Sequence, residues 1–580
     1  MKRKNVWVAG ILSLCWVMAG RVAAAQDAAV PGAANAVPAA NLMTYDVRKF
    51  GATGDGKTLD HAAINKAIGA AAEAGGGTVY VGPGKYLCGS IHMKSNIHLF
   101  LDAGAEIIGA PQEANAYDEI EPFSQGKTAE GYPVAYQDGG HCYFHNSLIW
   151  GENLHDVSIT GLGRINGGGL VRKDGLLDKL SGFSNFGKEA GKTVAAPEEK
   201  EPVRLGNKAI ALKLCKNVTL KDITIYQGGH FAILVTGCDN MTIDNVTMDT
   251  NRDGIDIDAC RNVVMSNCRI NSPNDDGLCP KASYALGENR IEENMTITNC
   301  QMSGWVEGTL LDGTMKPKAN GNGRIKFGTE ASGGFRNITI SNCTFRSCRG
   351  LAMEEVDGGI MENITISNIT MMDTASYPIY ITTGKRNRTG DLKHPSILRH
   401  ILISNVVATD IEWSGAEQGK GYLSGIQITG LPDMPIEDVR LENIRLQYKG
   451  YGTAEMGARM PRELATGYPE PVYTGTTPGY GVFARHVKDL ELANVRLYPA
   501  KGEMRPAVVC GDVEGLLIDN FVGPVGEGMK MARLEKVSRE VIRNSPDWEN
   551  VGAVERKGEL SEPSPEPGKA KGEASGPAGQ

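Results

Sequence analysis

The chain of 580 residues is poor in aromatic side chains, at 6%. It has no cluster of Lys and Arg, and its net charge is −8. Both argue against a nucleic-acid partner. Apolar runs of membrane-spanning length are also missing. The longest, Val6–Ala19, is too short to cross a bilayer comfortably. Its setting is that of an export signal: Lys2, Arg3 and Lys4 precede it, and Ala23-Ala24-Ala25 offers a small-residue cleavage site before Gln26. Cys15 lacks the preceding small residue of a lipid anchor. The expectation is therefore a signal peptide over 1–25 and a protein exported to the periplasm or the extracellular space, without a membrane span. Of 12 cysteines, loss of Cys15 leaves an odd number, so they cannot all pair. Cys215, Cys238 and Cys260 recur before an Asn-containing pair, and Cys268, Cys300 and Cys343 recur after one. Cysteines locked to a repeat read as small buried hydrophobes, and their spacing is not that of a metal site.

Long helical patterns are missing as well. The clear early one is "TLDHAAINKAIGAAAEAG", residues 58–75, stopped by Gly75-Gly76-Gly77. What recurs is a short alternating segment, as in "KNVTLKDITI", "DNMTIDNVTM", "RNVVMSNCRI", "RNITISNCTF" and "EDVRLENIRL". Alternation means strands with one buried face. The aligned Asn217, Asn240 and Asn262 lie 23 and 22 residues apart. A period of that size marks a solenoid. Without alternating helices, leucine-rich and βαβ arrangements are excluded, leaving an all-β parallel β-helix with an N-terminal cap helix. The Asn-x-Thr triplets fall on the repeating strand and read as a side-chain ladder rather than glycan acceptors. Residues 26–43 read as an Ala/Pro-rich linker, 44–525 as the β-helix, 526–554 as a C-terminal extension and 555–580 as a disordered tail. Irregular stretches at 111–147, 168–208, 302–323 and 451–482 interrupt the repeat, and such insertions tend to gather on a binding face.

Aspartate is depleted in strands, yet "NRDGIDIDAC" (251–260) and "NSPNDDGLCPKA" (271–282) are rich in it. Asp276 follows Asp253 by 23 residues, one coil. Residues one coil apart stack about 4.8 Å from each other, so Asp253 is expected beside Asp275 and Asp276. Three carboxylates that close repel, and one pKa should rise. The result is an acid beside bases, the division of labour that glycoside hydrolysis requires. Asp-Gly turns and calcium-binding turns also use aspartate, but neither needs in-register stacking. Asp256 and Asp258 lie at odd steps from Asp253 and read as groups that orient their neighbours.

These segments resemble the polygalacturonase-like glycoside hydrolases, family 28, of the pectin lyase-like group, which implies a right-handed parallel β-helix. "YDVRKFGATGDGKTLDHAAINKAI" is similar to that group's N-terminal cap. "NRDGIDID" is similar to the family's Asn-Thr-Asp-Gly motif, with Arg252 in place of Thr, and "NDDGLCPKA" to its Asp-Asp motif. The resemblance covers most of 44–525 and implies an inverting glycosidase. In it Asp275 is the general acid, Asp253 and Asp276 activate water, and Asn251 and Lys281 contribute to substrate binding. Two family motifs are displaced. Counting coils, Gly323 falls where the histidine of Gly-His-Gly is expected. Ala352 and Glu354 fall where the cations of Arg-Ile-Lys are expected. A literal Arg324-Ile325-Lys326 stands one coil early. Arg324 and Lys326 point the same way on a strand, either into the cleft as cations or onto a solvated face. A Glu at 354 would repel a galacturonate and suit a neutral sugar such as rhamnose, placing the chain nearer the rhamnogalacturonan-acting members. His230, one coil before Asp253, and Tyr380, near Tyr377, are candidates for the groove wall. Insertions beside the cleft favour exo action. The expected partner is a pectic poly- or oligosaccharide, bound by a monomer, with no cofactor and no metal. Endo-polygalacturonase action, a polysaccharide lyase and a non-catalytic carbohydrate-binding solenoid are the competing readings.

Overall fold

A computed structural model describes residues 44–120, 139–171, 204–387, 395–413, 421–548 and 552–564. The expected signal peptide, the linker and residues 565–580 lie outside these. So do parts of the insertions at 111–147 and 168–208. The rest is a right-handed parallel β-helix. One coil runs through strands β1 (Phe231–Thr236), β2 (Asp239–Asp244) and β3 (Thr247–Asp249). The next runs through β4 (Asp253–Asp258), β5 (Arg261–Ser266) and β6 (Arg269–Asn271). Each strand pairs in parallel with its counterpart one coil on, β1 with β4 in the register Phe231↔Asp253 and Ile233↔Ile255.

The core follows from the alternation. Ile210, Ile233, Ile255, Leu278, Ile325, Leu351 and Ile379 stack in one column across successive coils, and all are buried. The corners are held by asparagine. Asn217, Asn240, Asn262, Asn294 and Asn337 all take φ between 55° and 59°, a left-handed conformation that Asn tolerates well. From Asn240 on, each side-chain amide donates to the previous Asn carbonyl oxygen, as in Asn240 to Asn217 at 3.2 Å. The Asn-x-Thr triplets are thus a ladder. Cys215, Cys238 and Cys260 form another, with the backbone N–H of Cys215 and of Cys238 each donating to the next sulfur. The described free cysteines are all buried.

The N-terminal end of the core is covered by α1 (His61–Glu73), which buries Ala63, Ile64, Ala67, Ile68 and Ala71. It stops at Gly75-Gly76-Gly77, all at positive φ. A Cβ on Gly76 would stand 2.6 Å from the Asn96 carbonyl oxygen, so this turn requires glycine. At the other end the ladder runs past residue 525. Ala532–Arg543 pairs with Val508–Asp519, and Val554–Lys557 pairs with Ala532–Glu535. The segment expected as an extension is therefore part of the solenoid. The first ten residues of the expected tail are ordered too: Leu560 packs against Met460, Phe483 and Val509.

Candidate active site

On β4 the odd positions Ile255 and Ile257 enter the core, so Gly254, Asp256 and Asp258 face outward. Asp253 stands at the strand's start, where the chain turns the corner. The backbone N–H of Asp276 donates to the Asp253 carboxylate at 3.2 Å, and Gly254 N–H donates to the Asp276 carbonyl at 3.0 Å. Asp275 precedes this pair on the same corner. One carboxylate oxygen from each of Asp253, Asp275 and Asp276 lies within 4.8 Å of the others. The stacking expected from the 23-residue spacing therefore brings all three together.

Their surroundings differ. The Asp275 side chain is 27% exposed and pairs with Arg252 at 2.7 Å. Asp253 is buried, and burial, followed by the charges of Asp275 and Asp256, pushes its carboxyl well above the usual range. Asp276 is equally buried, and burial alone would push it up. Arg324 and Lys326 overcome this and hold it well below the usual carboxylate range. The Arg324 Nε donates to Asp276 at 2.5 Å, and the Lys326 ammonium lies 3.4 Å away. Two carboxylates one coil apart are thus driven in opposite directions.

Asp256 belongs to this cluster more closely than its odd spacing suggested. One of its oxygens lies within 4.8 Å of Asp253 and of the Cys279 sulfur. It is compensated by His141, 3.1 Å away, and by Lys281 at 3.6 Å. His141 also meets Asp258 at 3.2 Å. Burial works against the imidazolium, but the two aspartates prevail and raise it to about 10. Lys281 in turn pairs with Glu330 at 2.8 Å. Lys281 is therefore a buried counter-ion rather than a group presented to substrate.

Other candidates are also closed off. Arg324 is 1% exposed and Lys326 3%. They do point the same way, but towards protein carboxylates. The Arg324 Nη1 donates to the Tyr377 hydroxyl and to Glu470 at 3.1 Å, and its Nη2 donates to the other Glu470 oxygen. Glu354 lies behind Lys326, 3.8 Å from it. Burial pushes Glu354 up to about 8 against the pull of Lys326. At neutral pH it is mostly protonated, so the repulsion expected of a Glu here does not arise from Glu354. Tyr380 is buried against Tyr377, ring centroids 5.8 Å apart. His230 is buried edge-on to Phe231. The Asn251 carbonyl accepts from Asn274 N–H at 3.2 Å. A shallow hollow on the same sheet face, lined by Tyr380, Thr382, Gln427, Arg462 and Phe483, includes none of the three aspartates.

Glu470, Tyr468, His141 and Glu330 are additions that the sequence did not suggest. Tyr468 belongs to no local motif, yet its hydroxyl accepts from Lys326 at 3.1 Å and its ring lies under that ammonium. Both Tyr468 and Glu470 come from the irregular stretch 451–482, and His141 from 111–147. The only sequence signal for these three was membership of an insertion, and Glu330, outside the insertions, had none.

Comparison with known proteins agrees with this architecture. Residues 44–138 match the family model described as "Rhamnogalacturonase A/epimerase, pectate lyase-like", and residues 200–322 match "Right handed beta helix region". A probable polygalacturonase of Vitis vinifera is 24% identical, covering 68% of this chain and 73% of its own length. An exo-poly-alpha-D-galacturonosidase of Dickeya chrysanthemi is 22% identical, covering 66% of this chain and 64% of its own length. Among solved structures, the family 28 exopolygalacturonase of Yersinia enterocolitica superposes with a TM-score of 0.57 at 18% identity, covering 83% of this chain and 79% of that one. The fold is shared.

Proposed function

We propose that this chain, a glycosidase on the polygalacturonase-like β-helix fold, hydrolyses galacturonosyl linkages in pectic poly- or oligosaccharides with an acid–base carboxylate set. The observation that carries the reading is the convergence of Asp253, Asp275 and Asp276 within 4.8 Å, with Asp253 and Asp276 displaced to opposite sides of the ordinary carboxylate range.

The roles follow from access and proton affinity. Asp275, the solvent-reaching member, gives its proton to the glycosidic oxygen as the bond to the anomeric carbon breaks. Asp253 takes a proton from the incoming water. It acts from its ionised form, and the burial that raises its proton affinity makes that form a strong proton acceptor. Asp276 remains ionised under Arg324 and Lys326 and stabilises the positive charge that develops on the sugar ring. The course proposed is a single displacement with inversion. One oxygen of each carboxylate lies within 4.8 Å of the others, closer than the roughly 6.5–9.5 Å typical of inverting pairs, so the anomer first released decides between this course and a covalent intermediate. Exo action on rhamnogalacturonan-type chains is the finer reading. It is supported by the stretch carrying Tyr468 and Glu470, whose side chains lie against Lys326 and Arg324 beside Asp276. Residues 1–25 would direct export to where such polymers occur, and the described residues contain no helix long and apolar enough to cross a membrane.

The test is sugar release from oligogalacturonides and from rhamnogalacturonan oligosaccharides, without added calcium, for wild type and Asp275→Asn. Release of galacturonate by wild type, reduced at least 10³-fold in the variant (on the order of the general acid–base contribution), is the expected result. Equal release by both proteins would refute the assignment, and binding of either glycan without turnover would favour a binding solenoid.

A further inference from the structure

A guanidinium and a carboxylate fit each other two bonds at a time. On the outward face beside Asp276, that fit is already taken. Glu470 offers both oxygens to Arg324, one to each terminal nitrogen. The remaining guanidinium nitrogen serves Asp276. Lys326 lies 3.7 Å from Glu470 and 3.4 Å from Asp276, and the Arg349 guanidinium is 3.9 Å from Glu470. Glu470 is 7% exposed.

We propose that Glu470 is a built-in carboxylate occupying the place over Arg324 and Lys326 that a uronate would take, so that the subsite adjoining Asp276 accepts a neutral sugar. This rests on the glycosidase reading above and deepens it. A uronate entering here would meet a guanidinium whose three nitrogens are engaged and a fixed anion at contact distance. Like charges at that range repel. A neutral sugar brings hydroxyls, which can donate to Glu470 and exchange hydrogen bonds with the Tyr468 hydroxyl. The discrimination thus comes from a repulsive element as well as from attractive contacts.

Glu470 is fixed by the backbone around it, which distinguishes a standing filter from a swinging lid. Its N–H donates to the Tyr468 carbonyl at 2.9 Å, and its own carbonyl accepts from Tyr473 at 3.0 Å, opening the 3-10 turn Pro471–Tyr473. Downstream, the Thr477 carbonyl accepts from Arg505 at 3.1 Å, and the Thr476 hydroxyl accepts from Leu423 N–H at 3.2 Å. Burial favours the neutral acid, yet Arg324 and Lys326 hold Glu470 down to about 2, so it is an anion at any working pH.

The experiment compares wild type, Glu470→Gln and Glu470→Ala on a galacturonosyl-rhamnose oligosaccharide and on an oligogalacturonide. Wild type is expected to prefer the rhamnose-containing chain. In Glu470→Gln the ratio of kcat/KM values should move at least tenfold towards the oligogalacturonide. An unchanged ratio in a folded variant would overturn the proposal. Glu470→Ala provides a readout independent of turnover. The vacated place should take free galacturonic acid, which raises the Tm of Glu470→Ala by several degrees and leaves that of wild type unchanged. No change in Glu470→Ala, or an equal change in both proteins, would overturn the proposal. Failure of wild type to cleave either substrate would sink the glycosidase reading, while the Tm comparison would still decide whether Glu470 fills a carboxylate site.

Discussion

Replacing Glu354 with Gln should stabilise the protein in a manner that grows with pH. Glu354 is fully buried, and neither carboxylate oxygen has a hydrogen-bond partner. Its acid is raised from 4.5 to about 8, chiefly by burial. The native state therefore keeps a proton that the unfolded chain releases above pH 4.5. The stability from this acid is full below pH 4.5 and is lost as pH rises through 8. Each tenfold difference in proton affinity between the folded and unfolded chains is worth about 1.36 kcal/mol, so the loss is under about 1 kcal/mol at pH 5 and about 4 kcal/mol at pH 8. Gln has nearly the same shape and no proton to lose, so Glu354→Gln lacks this slope. Guanidinium unfolding of both proteins at pH 5 and pH 8 reads the difference directly. The titration of groups that do not act on Glu354, His141 included, is common to both and cancels. The gap should open in favour of the variant by about 3 kcal/mol between the two pH values. A gap of constant size would refute the reasoning, since it would mean that Glu354 is ionised throughout and held as a counter-ion of Lys326.

Two further outcomes are expected. His141→Gln removes the imidazolium between Asp256 and Asp258 and should cost about 3–5 kcal/mol at pH 6, as for a broken buried ion pair. Because the His141 contribution is full below pH 6.5 and fades as pH rises towards 10, the gap from wild type should close over that interval in an unfolding series. Proton NMR of the first-formed product should reveal the anomer opposite to that of the linkage cleaved. Retained configuration would exclude the single displacement and point to a covalent intermediate on one of the aspartates.

The solenoid and the aspartate triad were legible in the sequence for one physical reason. In a coil of nearly constant length, sequence distance converts to spatial distance. The 23 residues from Asp253 to Asp276 place one over the other, and the same arithmetic orders the asparagine and cysteine ladders. The conversion holds only while the coils stay regular. Asp256 lies near Asp253 because the strand begins at a corner, where the alternation of faces does not yet apply. Arg324 and Lys326 were recognised as neighbours on one face. That the face was already paired required Glu470, 146 residues away from Arg324. Glu354 was read as a charge because the sequence carries no measure of burial, and burial is what removes the charge. The insertions are where the periodic arithmetic fails, and from them come His141, Tyr468 and Glu470. The regular coils thus set the position of the three aspartates, and the irregular stretches set their electrostatic environment. On this fold the substrate that a chain accepts should vary with its insertions while the triad stays in place.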